Sequence, residues 1–123
     1  MTQSGNRVLT VLSAFLGLAM IGAGATKLMG LSAEVAAFTV WGLPPWFRAL
    51  VGTFEVSGGV LLMVPATRPA GSVILSTIMV GALWAHAASG EWPHLIPVVV
   101  LLALFLTIFM RNRARAIQLL GGA

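Results

Sequence analysis

Cysteine is absent from the 123 residues. Its absence excludes disulfides, CxxC thiol redox chemistry, thiolate zinc sites and iron–sulfur clusters held by the chain itself. Aspartate is absent too, so no Ser-His-Asp arrangement can be assembled. Charge of either sign is scarce: 7 Lys and Arg and 3 acidic residues make up 8% of the chain. Soluble domains carry roughly a quarter charged residues, so a water-facing surface cannot be built from this supply. A disordered chain fails the opposite test, because 59% of the residues are hydrophobic, far too many for a segment that stays unfolded. The net charge is +4, yet the basic residues stand at the ends of apolar runs. That placement predicts topology signals and contact with anionic lipid, and no nucleic-acid partner.

What the chain has in abundance is apolar sequence. Four runs, about 8–29, 48–64, 70–88 and 95–110, are separated by segments containing Pro, Gly or charge. Each is close to the ~20 residues that cross a bilayer. Each is apolar all round, as in helices that face lipid on one side and neighbours on the other. The pattern predicts an all-α, integral membrane, antiparallel four-helix bundle, with residues 1–123 forming a single domain. Ala23-Gly24-Ala25 resembles a signal-peptide cleavage site, but the apolar run continues past it, so the first span is expected to be retained. Between the first two spans, Ser32 can cap a short helix over Ala33–Val40, which Gly42-Leu43-Pro44-Pro45-Trp46 then breaks. Leu31, Val35 and Phe38 would share one face of this short surface helix, laid on the outer surface or folded over the bundle mouth. Pro65–Pro69 and Ser89–Pro93 read as short turns, and Pro97 is tolerable in the first turn of the last span.

Basic residues set the expected orientation. An even number of spans puts both termini on one side, with Arg7, Arg68, Arg111, Arg113 and Arg115 there and Lys27 and Arg48 opposite. The positive-inside rule makes the arginine-rich side cytoplasmic. Arg111, Arg113 and Arg115 are expected to act as a stop and a lipid anchor. Trp41, Trp46, Trp84 and Trp92 all fall at the other face, as in an aromatic belt.

Lys27, Glu55 and His86 lie in the outer half of the expected bundle. Glu55 is about 10 Å below Arg48 by helix rise, and a charge near mid-membrane costs at least ~2.5 kcal/mol. It must be paired, protonated or set against a wet cavity. The surrounding Gly52-Thr53-Phe54-Glu55-Val56-Ser57-Gly58-Gly59 places small residues around the carboxylate, which lets a neighbouring helix bring a cation close. These residues predict a Lys27–Glu55 pair with His86 as third partner, together lining a polar pocket. The plain alternative is a structural ion pair that sets helix register; a ligand or quinone head-group site and a proton pathway are the functional ones. Gly24, Gly52, Gly58 and Gly59 read as helix-packing positions, with dimerisation through the glycine patches as a second use. A zinc ion needs three or four ligands. His86 and His94 supply two, a third from Glu55 or Glu91 is only conceivable, and no metal is expected. Met20, Met29, Met63 and Met79 read as core fillers.

Taken in order, Gly24-Ala25-Thr26-Lys27-Leu28, Phe38…Gly42-Leu43-Pro44, Gly52-x-x-Glu55-x-x-Gly58-Gly59-x-Leu61-Leu62…Pro65 and Met79…Ala82…His86…Gly90 resemble the DoxX-like family of small four-helix membrane proteins. The likeness runs from about Gly17 to Arg113. It implies a bacterial cytoplasmic (inner) membrane protein. Members of the family are tied to quinone-linked thiosulfate oxidation or to a membrane oxidoreductase complex, and distant animal relatives act as assembly chaperones. Lys27, Glu55 and His86 fall at matching positions. With no cysteine to hold a persulfide, thiosulfate chemistry is not expected of this chain.

The expectation is therefore an accessory or binding protein, not an enzyme on its own, whose pocket takes a small amphipathic ligand or a partner segment. One rival is a membrane subunit of a quinone-linked oxidoreductase complex, with quinone as a cofactor that the chain itself does not carry. The other is a small proton-coupled transporter. The lipid bilayer is the expected partner, together with a second copy or another membrane protein.

Overall fold

The computed structural model describes the backbone of residues 3–120 and the side chains of residues 7–112. The chain forms α1 (Gln3–Met29), α2 (Ser32–Val40), α3 (Pro45–Met63), α4 (Arg68–Ala88), a 3-10 turn (Trp92–His94) and α5 (Leu95–Leu120). Four segments, Arg7–Met29, Pro45–Met63, Arg68–Ala88 and Trp92–Asn112, are long and apolar enough to cross a membrane. No strand occurs among the described residues.

Several helix boundaries differ from the sequence expectation; α1 starts at Gln3 and α4 at Arg68, a few residues ahead of their apolar runs. α3 begins at Pro45, because proline at the first helical position gives up only an amide with no partner within the helix. α2 begins at Ser32 itself, and Leu31 holds the cap position without a side-chain hydrogen bond. Leu31 is already committed: its amide donates to Thr26 O and its carbonyl accepts from Val35 N, so the helix registers one residue early. α5 continues through the arginine cluster to Leu120, since Arg, Ala, Gln and Leu are good helix formers and no breaker intervenes before Gly121. The side chains of Arg113 and Arg115, and residues 121–123, lie outside the described residues.

Three helices end in the same way at one end of the bundle. Gly30, Gly42 and Gly90 take positive φ of 68°, 73° and 71°. Each terminates its helix in the paired-hydrogen-bond turn that favours glycine: Leu31 N→Thr26 O with Gly30 N→Lys27 O, Leu43 N→Phe38 O with Gly42 N→Thr39 O, and Glu91 N→His86 O with Gly90 N→Ala87 O. This end also carries the tryptophans, of which Trp46, Trp84 and Trp92 are exposed. At the opposite, arginine end, α3 is capped by side chains instead: Thr67 Oγ1 donates to Leu61 O at 2.8 Å and Arg68 Nε to Leu62 O at 2.9 Å.

Consecutive spans pack side by side, α1 on α3, α3 on α4 and α4 on α5. Leu16, Met20, Leu62, Leu75, Met79, Val98, Phe105 and Ile108 form a core drawn from all four. Glycines let two of the crossings close to backbone contact. A methyl group at Gly24 would lie 2.5 Å from Gly52 O, and one at Gly59 2.6 Å from Gly17 O, which brings α1 against α3. A methyl group at Gly71 would lie 2.7 Å from Gly58 O and from Leu62 N, which pins α3 to α4 in the arginine half. These glycine faces are used within one chain, whereas Gly22 faces open space. Leu62, Leu75, Phe105 and Ile108 are fully buried, so the arginine half is solid. The tryptophan half is not.

Candidate functional site

A cavity of about 490 Å³ occupies the tryptophan half. Its walls come from the tryptophan-end halves of α3 and α4, with Met20 and Lys27 of α1, Val98 and Leu101 of α5, and Phe38 of α2. Held together at Gly58–Gly71, α3 and α4 leave this space between them. α2 lies over the bundle mouth by inserting Phe38, which is 4% exposed. Leu50, Phe54, Thr77, Gly81 and Trp84 line the cavity and are themselves exposed, so it opens sideways between α3 and α4. The walls are mainly apolar, with Lys27, Glu55, Thr77 and His86 as polar groups; this is a narrower polarity than a pocket lined throughout by polar residues.

Glu55 is 2% exposed. Lys27 Nζ lies 2.8 Å from its Oε1 and 3.2 Å from Glu34 Oε2. One ammonium group thus serves two carboxylates. The contact of Lys27 with Oε1 of Glu55 is a short, charge-assisted ion pair. The main chain at Lys27 is held as well, because Arg48 Nε donates to Lys27 O at 3.1 Å. Glu34 stands in the first turn of α2, so this pair also ties α2 to α1.

His86 lines the same cavity but is not the third partner of the pair; Glu34 is. Instead, His86 Nδ1 lies 3.2 Å from Glu91 Oε1. The glycine turn at Gly90 dictates this, since it bonds Glu91 N to His86 O and so brings the two residues together. Trp41 Nε1 donates to the same Oε1 at 2.7 Å, and its ring stands edge-on to His86 at 5.1 Å. Trp41 is therefore drawn inward rather than serving with the other tryptophans as an interfacial anchor. The Trp41 N–H is the main reason the Glu91 carboxyl titrates below the usual carboxylate range, with His86 and then His94 adding to it against the opposing effect of desolvation. His94 is more than a loop residue: its ring stacks on His86 at 5.1 Å, 9° from parallel. The ligand atoms of His86, Glu91 and His94 all lie within 4.8 Å of one another.

Sequence alone gives Glu34 no role, Glu91 only that of a conceivable third metal ligand, and Trp41 only a place in an aromatic belt. For Glu91 a signal existed. A glycine that ends a helix pairs the residue after it with the one five positions earlier, and Gly90 makes these Glu91 and His86. For Glu34 and Trp41 only the folding of α2 over the bundle supplies the contact.

No curated protein and no solved structure matches the chain. A family model described as the DoxX-like family matches residues 11–108, from within α1 into α5. By that match, which takes in the cavity and both ionic clusters, the chain belongs to the DoxX-like family of membrane proteins.

Proposed function

We propose that this chain is an accessory binding protein of the bacterial inner membrane, with both termini cytoplasmic, that takes the head of a small amphipathic molecule from the outer leaflet. One observation carries the reading: a side-opening cavity with apolar walls ends on a buried carboxylate whose cation is shared with a second carboxylate. A buried ion pair is a poor stabiliser compared with well-packed apolar residues. Retaining one beside a cavity makes sense if a ligand contributes a further contact. Two carboxylates against one ammonium favour a head that donates hydrogen bonds, such as a hydroxyl, amine or quinol, over an anionic head. The exposed Leu50, Phe54 and Trp84 give an alkyl or isoprenoid tail an apolar exit into the bilayer.

Quinone, the cofactor expected from family resemblance, fits this space. Apolar walls would hold the ring, and in the reduced form a hydroxyl would donate to the Glu55 carboxylate. In an oxidoreductase complex such a molecule supplies electron transfer, and the residues here would hold and orient it. A transport role has less support, because the closed core in the arginine half provides no route through the bundle.

The test is lipid analysis of the protein purified in nanodiscs. The expected result is one lipophile class enriched over empty nanodiscs, lost in Ala82→Phe, which fills the cavity. In Glu55→Gln its affinity should fall by about tenfold or more, the loss expected for a hydrogen bond to a charged group. Equal lipophile content in parent, Ala82→Phe and empty discs would overturn the reading. Quinone among the enriched molecules would favour the oxidoreductase-subunit form of it.

A further inference from the structure

The rim of the tryptophan end carries a second constellation that the cavity reading does not use. We infer that His86, Glu91 and His94 form a binding site for a divalent first-row transition ion, zinc foremost, and this revises the expectation of no metal. Two imidazoles and one carboxylate are the donor set of an open, three-ligand zinc site, which leaves a fourth position for water. The same set disfavours calcium and magnesium, which take oxygen ligands.

The geometry is largely prepared. Ligand atoms about 2.0–2.1 Å from a tetrahedral zinc stand about 3.3 Å apart, and His86 Nδ1 and Glu91 Oε1 are already 3.2 Å apart. His94 completes the group, with all three ligand atoms within 4.8 Å. Its side chain is exposed apart from the stack on His86, so a rotation of this ring brings its nitrogen to the other two ligand atoms. The backbone sets the spacing: Gly90 turns the chain so that Glu91 N bonds His86 O, and the 3-10 turn bonds His94 N to Glu91 O at 3.1 Å. On the same Oε1, the 2.7 Å bond from Trp41 Nε1 orients the carboxylate, as outer-shell donors do for metal ligands.

The experiment uses the full chain without a histidine tag, stripped of metal, in nanodiscs. Zinc is titrated calorimetrically, and cobalt is used as a spectroscopic probe of coordination. The expected result is one ion per chain and a tetrahedral cobalt spectrum. His94→Ala, a surface change that leaves thermal unfolding in place, should weaken zinc at least about tenfold, and Trp41→Phe should weaken it by about tenfold. Non-saturable binding, or His94→Ala binding zinc as the parent does, would overturn the site. Lipophile content measured on the same samples tests the cavity separately, since Ala82→Phe should empty the cavity and leave zinc binding intact.

Discussion

Lys27 ties three helices together. Its Nζ meets Glu55 and Glu34, its carbonyl accepts from Arg48 and from Gly30 N, and its side chain lines the cavity. Removing the ammonium leaves Glu55 buried with no cation. Lys27→Met should therefore destabilise the fold by about 3–5 kcal/mol, the usual penalty for orphaning one member of a buried pair. Lys27→Met combined with Glu55→Leu should recover stability to within about 1 kcal/mol of the parent, because a packed apolar pair avoids both desolvation costs. Thermal unfolding in detergent measures both. A double variant no more stable than the single would show that Glu55 is not the group left stranded. The need for a cation near Glu55 was legible from the depth of one acid in an apolar run. The sharing of that cation with Glu34 was not, since Glu34 belongs to an apolar-looking segment whose placement depends on the turn at Gly30.

At the scale of elements, glycine-ended helices do most of the positioning. Gly90, at φ 71°, ends α4 and delivers Glu91 to His86 and Trp41. Gly90→Ala should cost about 1–2 kcal/mol, the penalty for a side chain in the left-handed region, and should loosen the Trp41–Glu91 bond. That bond has a pH signature. The Glu91 carboxyl is held below its ordinary range, so its contribution is complete above that range and is lost as pH falls through the lowered value. Thermal stability and tryptophan emission should accordingly change on acidification below about pH 4.3, the ordinary glutamate value, and Trp41→Phe should flatten the response. An identical acid response in parent and Trp41→Phe would count against this account. α2 illustrates how far local pattern reaches: its existence was readable, but its inner face and register were not, because Phe38 is buried while Leu31 and Val35, expected on the same face, are exposed. Leu31 was claimed by the end of α1, a competition between neighbouring turns that a capping preference for serine does not anticipate.

For the molecule as a whole, the contrast between a solid arginine half and a hollow tryptophan half follows from where α3 and α4 touch. Gly71→Val places side-chain atoms against Gly58 O and the main chain at Leu62, neither of which can yield. It should destabilise the bundle by about 3 kcal/mol, the upper end for overpacking, and alter the cavity 490 Å³ in size. Gly22→Ala, facing open space, should be neutral or stabilising by up to about 1 kcal/mol. Thermal unfolding of the two variants side by side checks the contrast, and equal effects would refute it.

Four spans, their order and their antiparallel connection follow from composition and the spacing of breakers. A bilayer accepts only helices or closed barrels, runs of about 20 apolar residues fit the former, and short turns make neighbouring spans pack side by side. The family was likewise readable from the order of its glycine, lysine and glutamate positions. The identity of each polar group's partner came only with the fold. Which carboxylate a lysine meets, or which acid a histidine meets, depends on ångström-scale closeness between segments distant along the chain, and hydropathy carries no record of that distance.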